Sequence, residues 1–305
     1  MKEKILILTV FITPRVNFSK SLERQGLLLK KTVLDFHVHL SEYETFGEDA
    51  FNFFAGAFQS KEVYVEFCKK HIDPHVFLQL MDYNGVDYSV VLAEISPLST
   101  GVCTNEAVEE FCKVSSRLIP FCTINPFLHA HMGNVLENFI LNHGFKGLKL
   151  LPSYNYFYPN DSFMYPVYAV AERLGIPVLF HTGSSIYYGT RLKYANPIFL
   201  DDVAVDFPDM KIIMAHGGRG PWYNEAMSMV RLHKNIYIDV SGLPPKKLLD
   251  YFPDMGRFAH KFIFGTDWPS VDVKKNIEMI RNLNISQETI SKILGENAKQ
   301  LLGLD

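Results

Sequence analysis

Two histidines one residue apart, His37 and His39, stand in the run VLDFHVHL at 33–40. In a β-strand alternate side chains share a face, so both imidazoles point one way while Val38 points the other. Their Cα atoms then lie about 6.5–7 Å apart, and both rings can reach one divalent ion through bonds of about 2.1 Å. That is half of a metal site, and the remaining ligands must come from elsewhere in the chain. Polar residues closing other β-rich runs are Lys149 in FKGLKLLP, His181 in PVLFHTG, His216 in KIIMAHGG and Asp267 in FIFGTDWP. On strict alternation Ile212, Met214 and His216 share a face, as do Ile263, Gly265 and Asp267. An ion held by neutral imidazoles and a carboxylate keeps open positions and lowers the pKa of bound water to about 7. Hydroxide is then available at neutral pH, with Asp267 as candidate proton carrier and His216 as candidate stabiliser of a developing oxyanion. Asp35, two residues before His37 and so on the same strand face, is the candidate carboxylate behind the ligands.

Such residues need a scaffold that gathers strand ends. From Thr32 onward, β-rich runs at 33–40, 87–94, 118–126, 145–152, 177–183, 211–218, 236–242 and 262–269 alternate with amphipathic stretches that include 76–86, 105–118, 134–144 and 164–175. The alternation is that of βαβ units and a parallel sheet. Eight repeats in 305 residues predict an α/β chain folded as a (β/α)8 TIM barrel rather than an open doubly wound sheet. A doubly wound fold would carry a glycine-rich loop after its first strand, where this chain has His-Val-His-Leu-Ser-Glu. In a barrel, chemistry sits at the C-terminal ends of the strands, where the candidates fall. The stretch 41–60, with Phe46, Phe51, Phe53, Phe54 and Phe58, is expected to act as a lid over the mouth, as a satellite core, or as both.

The motifs DFHVHL, MDYNGVDYSVVL, GFKGLKLLP, GIPVLFHTG, KIIMAHGG, FGTDWP and the closing ILGENAKQLLGL resemble the amidohydrolase superfamily, most closely its amidohydrolase 2 branch of aminocarboxymuconate-semialdehyde decarboxylase-like proteins. The resemblance covers nearly all of 33–304. It implies that His37, His39, His181 and Asp267 form a mononuclear site with His216 beside it, as in decarboxylase-like members. In binuclear hydrolases His37, His39 and Asp267 would hold one ion, His181 and His216 a second, and a carboxylated Lys149 would bridge them. Many relatives carry a histidine two residues after this lysine, where this chain has Leu151. Lys149 is otherwise a substrate-carboxylate binder or a lysine that snorkels to the rim. The expected activity is metal-dependent hydrolysis of a C–N or C–O bond in a small amide, lactone or ester. The alternatives are nonoxidative decarboxylation or hydration on the same site, and a metal-binding scaffold without catalysis. The expected cofactor is zinc, as one or two ions, with manganese and iron as alternatives.

Arg191, Arg219, Tyr187 and Tyr188 follow the fifth and sixth strands and are candidates for binding a substrate carboxylate. The pairs His129/His131 and His71/His75 are read as surface, the latter because Pro74 interrupts a regular helix. A net charge of −3 gives no reason to expect nucleic acid or an anionic membrane as partner. Four cysteines without a CxxC pair read as reduced, mostly buried thiols of a cytoplasmic protein. No apolar run reaches the roughly 18 residues of a membrane span, so a soluble chain is expected, with a homodimer as default assembly. One domain is expected over 32–305, preceded by an extension at 1–31. Within the extension Lys2 and Lys4 precede an apolar segment as in a short signal peptide, but Pro14 and Arg15 follow in place of a small-residue cleavage site.

Overall fold

The computed structural model describes residues 31–40, 42–269 and 271–304; the expectations for the segment 1–30 lie outside the described residues. Eight strands form one sheet in chain order: β1 (Leu34–His39), β2 (Tyr88–Leu92), β3 (Leu118–Thr123), β4 (Gly147–Leu150), β5 (Pro177–Gly183), β6 (Lys211–Arg219), β7 (Ile236–Asp239) and β8 (Phe262–Ile263). Every paired neighbour is parallel. The chain beyond β8 closes the barrel on β1, through Phe36 N–H to Phe264 O at 3.0 Å, Asp267 N–H to His37 O at 2.9 Å and His39 N–H to Trp268 O at 3.0 Å. The predicted TIM barrel is therefore the fold.

Helices cover the strands, and their ends follow local chemistry. Ser60 caps Lys61–His71 by accepting from the Val63 amide, and Asp73 caps Pro74–Asn84, which begins with its proline. Pro74 thus starts a helix, and His71 and His75 belong to different ones. His71 is half-buried against Phe67 and Trp268, not solvated as expected. The helix expected at 105–118 stops at Cys112, because residues up to Arg117 form a turn in which Ser115 Oγ accepts from the Arg117 amide.

Two apolar layers hold the barrel. Leu34, Phe36, Val90, Phe121, Leu179 and Ile213 fill its interior, while Val38, Val91, Leu148, Phe180, Ile212 and Met214 face the helices. Strands buried on both faces read as nearly continuous apolar runs, which is the pattern of parallel sheets. The four cysteines are buried, and none is joined in a disulfide. Among the described residues no helix is long and apolar enough to cross a membrane.

Two irregularities re-aim side chains at the mouth. On β1 the register to β2 slips by one residue between Asp35 and Val38, and on β6 the register to β5 slips between Ala215 and Arg219. Bulges of this kind turn a strand's faces over beside active sites. A short antiparallel hairpin, Glu94–Ser96 with Gly101–Cys103, follows β2 on the rim. The aromatic stretch before it forms the helix Glu48–Ala55 and plays both expected parts. Phe51, Phe54 and Phe58 pack on Tyr64, while Phe46, Phe53 and Phe54 wall the cavity over the barrel mouth.

Candidate metal centre and active site

His37, His39, Lys149, His181, His216 and Asp267 come together from β1, β4, β5, β6 and the segment after β8, all lining one cavity of about 490 Å³. The alternation argument reached the right residues by an incomplete route. Ile212 and Met214 point outward to the helices, yet His216 points in, because the slip on β6 and a left-handed backbone at φ 63° swing it round. Asp267 is likewise left-handed, at φ 66°. Each such conformation costs roughly 1–2 kcal/mol for a residue with a Cβ, so surrounding bonds must impose it.

Most of the imidazoles are oriented from behind. Asp239 Oδ2 lies 2.6 Å from His37 Nδ1, and Ser241 Oγ lies 2.9 Å from the same nitrogen. His216 Nδ1 donates to Ser241 O at 2.8 Å, and His39 Nδ1 faces Glu94 Oε2 at 3.6 Å. With an acceptor behind Nδ1, each ring presents an Nε2 lone pair to the cavity. His37 Nε2 and His39 Nε2 are 3.1 Å apart, and Asp267 Oδ1 is 3.5 Å from the first and 3.4 Å from the second. Donor atoms of His37, His216 and Asp267 lie within 4.8 Å of one another. That trio contains His216, which the mononuclear set implied by the resemblance left beside the site. His181, with ring centroids 4.9 Å from His216, is buried, and its Nε2 has no hydrogen-bond partner among the described residues. Converging lone pairs, one carboxylate and an orphaned buried imidazole nitrogen fit a divalent cation.

The electrostatics match. Burial first, then the charge of Lys149, holds His37 well below the usual imidazole range; burial and His216 do so for His181, and burial and Arg219 for His216. All three rings are neutral, as ligands must be. Burial works to raise Asp267, but the facing His216, His39 and His37 rings outweigh it, and the carboxyl stays well below its ordinary value. Lys149 does not snorkel: it is 1% exposed, its Nζ lies 3.4 Å from His37 Nε2, and burial brings it down to about 8.

Asp35 does not stand behind His37's ring. The slip on β1 breaks the shared face, and its carboxylate instead accepts from the Thr266 amide at 2.9 Å, Thr266 Oγ1 at 2.6 Å and the His37 amide at 3.2 Å. It fastens the chain that carries Asp267 to the chain that carries His37. Asp239 holds the place expected of Asp35, and burial pushes both carboxyls up to about 7. Sequence reasoning missed Asp239, although an acid inside the apolar run IYIDV is itself a signal of a buried partner. Glu94 and Tyr154 were also missed; Tyr154 meets His181 edge-on at 4.8 Å. Arg219 lines the cavity with Nη1 3.9 Å from Asp267 Oδ2, and Tyr187 lines it beside Phe53 and Phe54. Arg191 is not among the lining residues; it is exposed, with its guanidinium 4.7 Å over the Tyr156 ring. Tyr188 is 80% exposed, and His129 and His131 lie away from the cavity.

The chain is 25% identical over 180 residues to a gamma-resorcylate decarboxylase of Rhodococcus jostii, covering 46% of this chain and 54% of that protein. It is 30% identical over 121 residues to the gamma-resorcylate decarboxylase of Polaromonas, covering 32% and 36%. It therefore spans about half or less of the length of the curated relatives it matches. Its fold is shared with an uncharacterised TIM-barrel protein of Bordetella bronchiseptica, at TM-score 0.73 and 24% identity over 89% of this chain and 98% of that one. A dihydroxybenzoic acid decarboxylase of Polaromonas, determined with manganese and 2-nitroresorcinol, follows at TM-score 0.64 and 17% identity, over 90% and 97%. The amidohydrolase family model matches residues 35–304, and the chain belongs to that family.

Proposed function

We propose that this chain is a metal-dependent decarboxylase of an aromatic carboxylic acid that carries a hydroxyl on the ring. The observation that carries the reading is the disposition of Asp267: Oδ1 faces His37 and His39, Oδ2 faces Arg219, and Lys149 stands across the same cavity under an aromatic roof. The decarboxylase relatives support this reading over hydrolysis. His37, His39, His181, His216 and Asp267 are the residues that would hold the ion, with manganese the first metal to load and zinc the second. When bound, the ion supplies positive charge that polarises the substrate's oxygens.

The chain's own groups supply the rest. Lys149 and Arg219 seat the substrate carboxylate, Tyr187 orients the ring, and Phe53 and Phe54 at the mouth exclude water. Asp267, ionised in the resting site, takes the ring hydroxyl proton and places it on the carbon that bears the carboxylate. The C–C bond then breaks, carbon dioxide leaves, and the electron pair returns to the ring oxygen. One solvent proton restores the hydroxyl, so each turnover consumes a proton and no water. The test uses hydroxybenzoates labelled with ¹³C in the carboxyl group, given to protein reconstituted with manganese or zinc. Labelled carbon dioxide is expected, and chelation abolishes it. Cleavage of lactones or amides with no carbon dioxide from any aromatic acid would refute the proposal.

Hydrolysis is the second reading, favoured by Lys149 alone. An amine at about 8 keeps a free-base fraction at neutral pH that can take up carbon dioxide as a carbamate, and it lies against His37. Two ions per chain in bicarbonate, falling to one in Lys149→Ala, would support it; one ion in both supports decarboxylation.

A further inference from the structure

The cavity is larger than the proposed reaction needs. Each charged side chain on its lining is tied to the histidine–aspartate cluster: Lys149 to His37 at 3.4 Å, Glu94 to His39 at 3.6 Å and Arg219 to Asp267 at 3.9 Å. Charge is therefore confined to the floor. The rest of the lining is largely apolar and includes Leu40, Val102, Leu243, Pro244 and Val271. One wall is a run of rings that begins on the floor and ends at the mouth. His181 meets Tyr154 at 4.8 Å between centroids, Tyr154 meets Tyr187 at 6.1 Å, and Tyr187 meets both Phe53 and Phe54 at 6.0 Å. A one-ring acid seated at the floor occupies only the first part of this wall. The volume of about 490 Å³ lies within the roughly 300–1,000 Å³ of pockets that enclose drug-sized ligands. At the outer end Phe53 and Ile186 are 48% and 54% exposed, so apolar surface continues to the entrance.

We infer that the outer chamber is a second, apolar subsite, and that the substrate is an aromatic acid bearing a further apolar group, such as a second ring, on the side away from its carboxylate. The inference rests on the decarboxylase reading for the orientation of the acid, with its carboxylate at Lys149 and Arg219. Offset and edge-on contacts along the wall would favour a flat substituent over a branched one.

The experiment compares 2-hydroxybenzoate with the same acid carrying a phenyl group across the ring from the carboxylate. Binding to the manganese-loaded protein is measured by calorimetry, and release of labelled carbon dioxide is followed in parallel. The two-ring acid is expected to bind ~10-fold or more tightly, the discrimination an apolar pocket gives for added apolar bulk. In Phe53→Ala and Phe54→Ala the preference falls toward parity. Phe53 is half-exposed, so its variant reads the subsite even if loss of Phe54, which also packs on Tyr64, disturbs the fold. Equal binding of the two acids to the wild type, or an unchanged ratio in the Phe53 variant, overturns the subsite. A preference lost in the variants, with no carbon dioxide from either acid, keeps the subsite and removes the decarboxylase reading. Carbon dioxide from the one-ring acid without any binding preference does the reverse.

Discussion

Asp239→Asn preserves side-chain size and changes only what the side chain can accept and carry. Asp239 is fully buried, and burial raises its carboxyl from 3.8 to about 7 in the metal-free protein. A shift of about 3 units at about 1.4 kcal/mol per unit is worth about 4 kcal/mol. The sign follows from linkage. The folded state holds this proton more tightly than the unfolded chain, so the contribution to stability is fully present below about 4 and is lost as pH rises to about 7. Asn does not titrate. Urea denaturation of chelator-treated protein should therefore show the difference between variant and wild type moving by about 4 kcal/mol in the variant's favour from pH 4 to pH 8. Metal binding should move the other way. Asp239 Oδ2 accepts from His37 Nδ1 and from Ser241 Oγ, and Oδ1 accepts from the Ser241 amide. An amide nitrogen cannot accept, so either the Ser241 amide, or His37 Nδ1 together with Ser241 Oγ, loses its acceptor, and even in the first case a neutral amide holds the His37 N–H more weakly than the carboxylate does. Loss of such a carboxylate costs ~10–100-fold in metal affinity, read by competition against a fluorescent chelator. A stability difference that stays flat with pH, together with unchanged metal affinity, would refute the assignment of Asp239 as the group that orients His37.

Asp267→Asn should keep the fold, because Asn tolerates the left-handed backbone there, and should lower kcat by ~10²–10⁴, the range for loss of a proton carrier; circular dichroism and labelled carbon dioxide release check the two halves. Lys149→Met removes a buried cation, and KM for a carboxylate substrate should rise ~10–100-fold, the equivalent of about 1.5–3 kcal/mol for a charged hydrogen bond. Gly265→Ala would place a Cβ 2.5 Å from Asp239 Oδ1 and 2.8 Å from His37 Cβ, and urea denaturation should show a loss of about 1–3 kcal/mol with weakened metal binding.

The barrel was legible because each strand is buried on both faces and announces itself as an apolar run, and the histidines because they end those runs. What could not be read was the point at which the period of two fails. Asp35 was assigned to the face of His37 by counting, and the slip on β1 separates them. His216 was placed correctly although its neighbours Ile212 and Met214 face the helices, because a left-handed residue undoes the parity error. Asp239 carries a legible sign, an acid within a buried strand, but it stands 202 residues along the chain from the histidine it orients, and nothing in the sequence pairs them. Glu94 carried none: it sits on a rim hairpin whose path follows from tertiary packing. Arg191 was assigned by proximity in the chain to β5, but its loop turns outward onto Tyr156.

The bonds that close the barrel have a consequence for the life history of the protein. Asp267 N–H to His37 O and His39 N–H to Trp268 O join residues from near the start of the barrel to residues near its end, and three of the four residues line the candidate metal centre. On a ribosome the His-x-His pair emerges more than two hundred residues before its aspartate. Shutting the cylinder and completing the donor set are then one event, so a nascent or truncated chain carries the histidines without the carboxylate that completes the set. Loading belongs to the finished barrel.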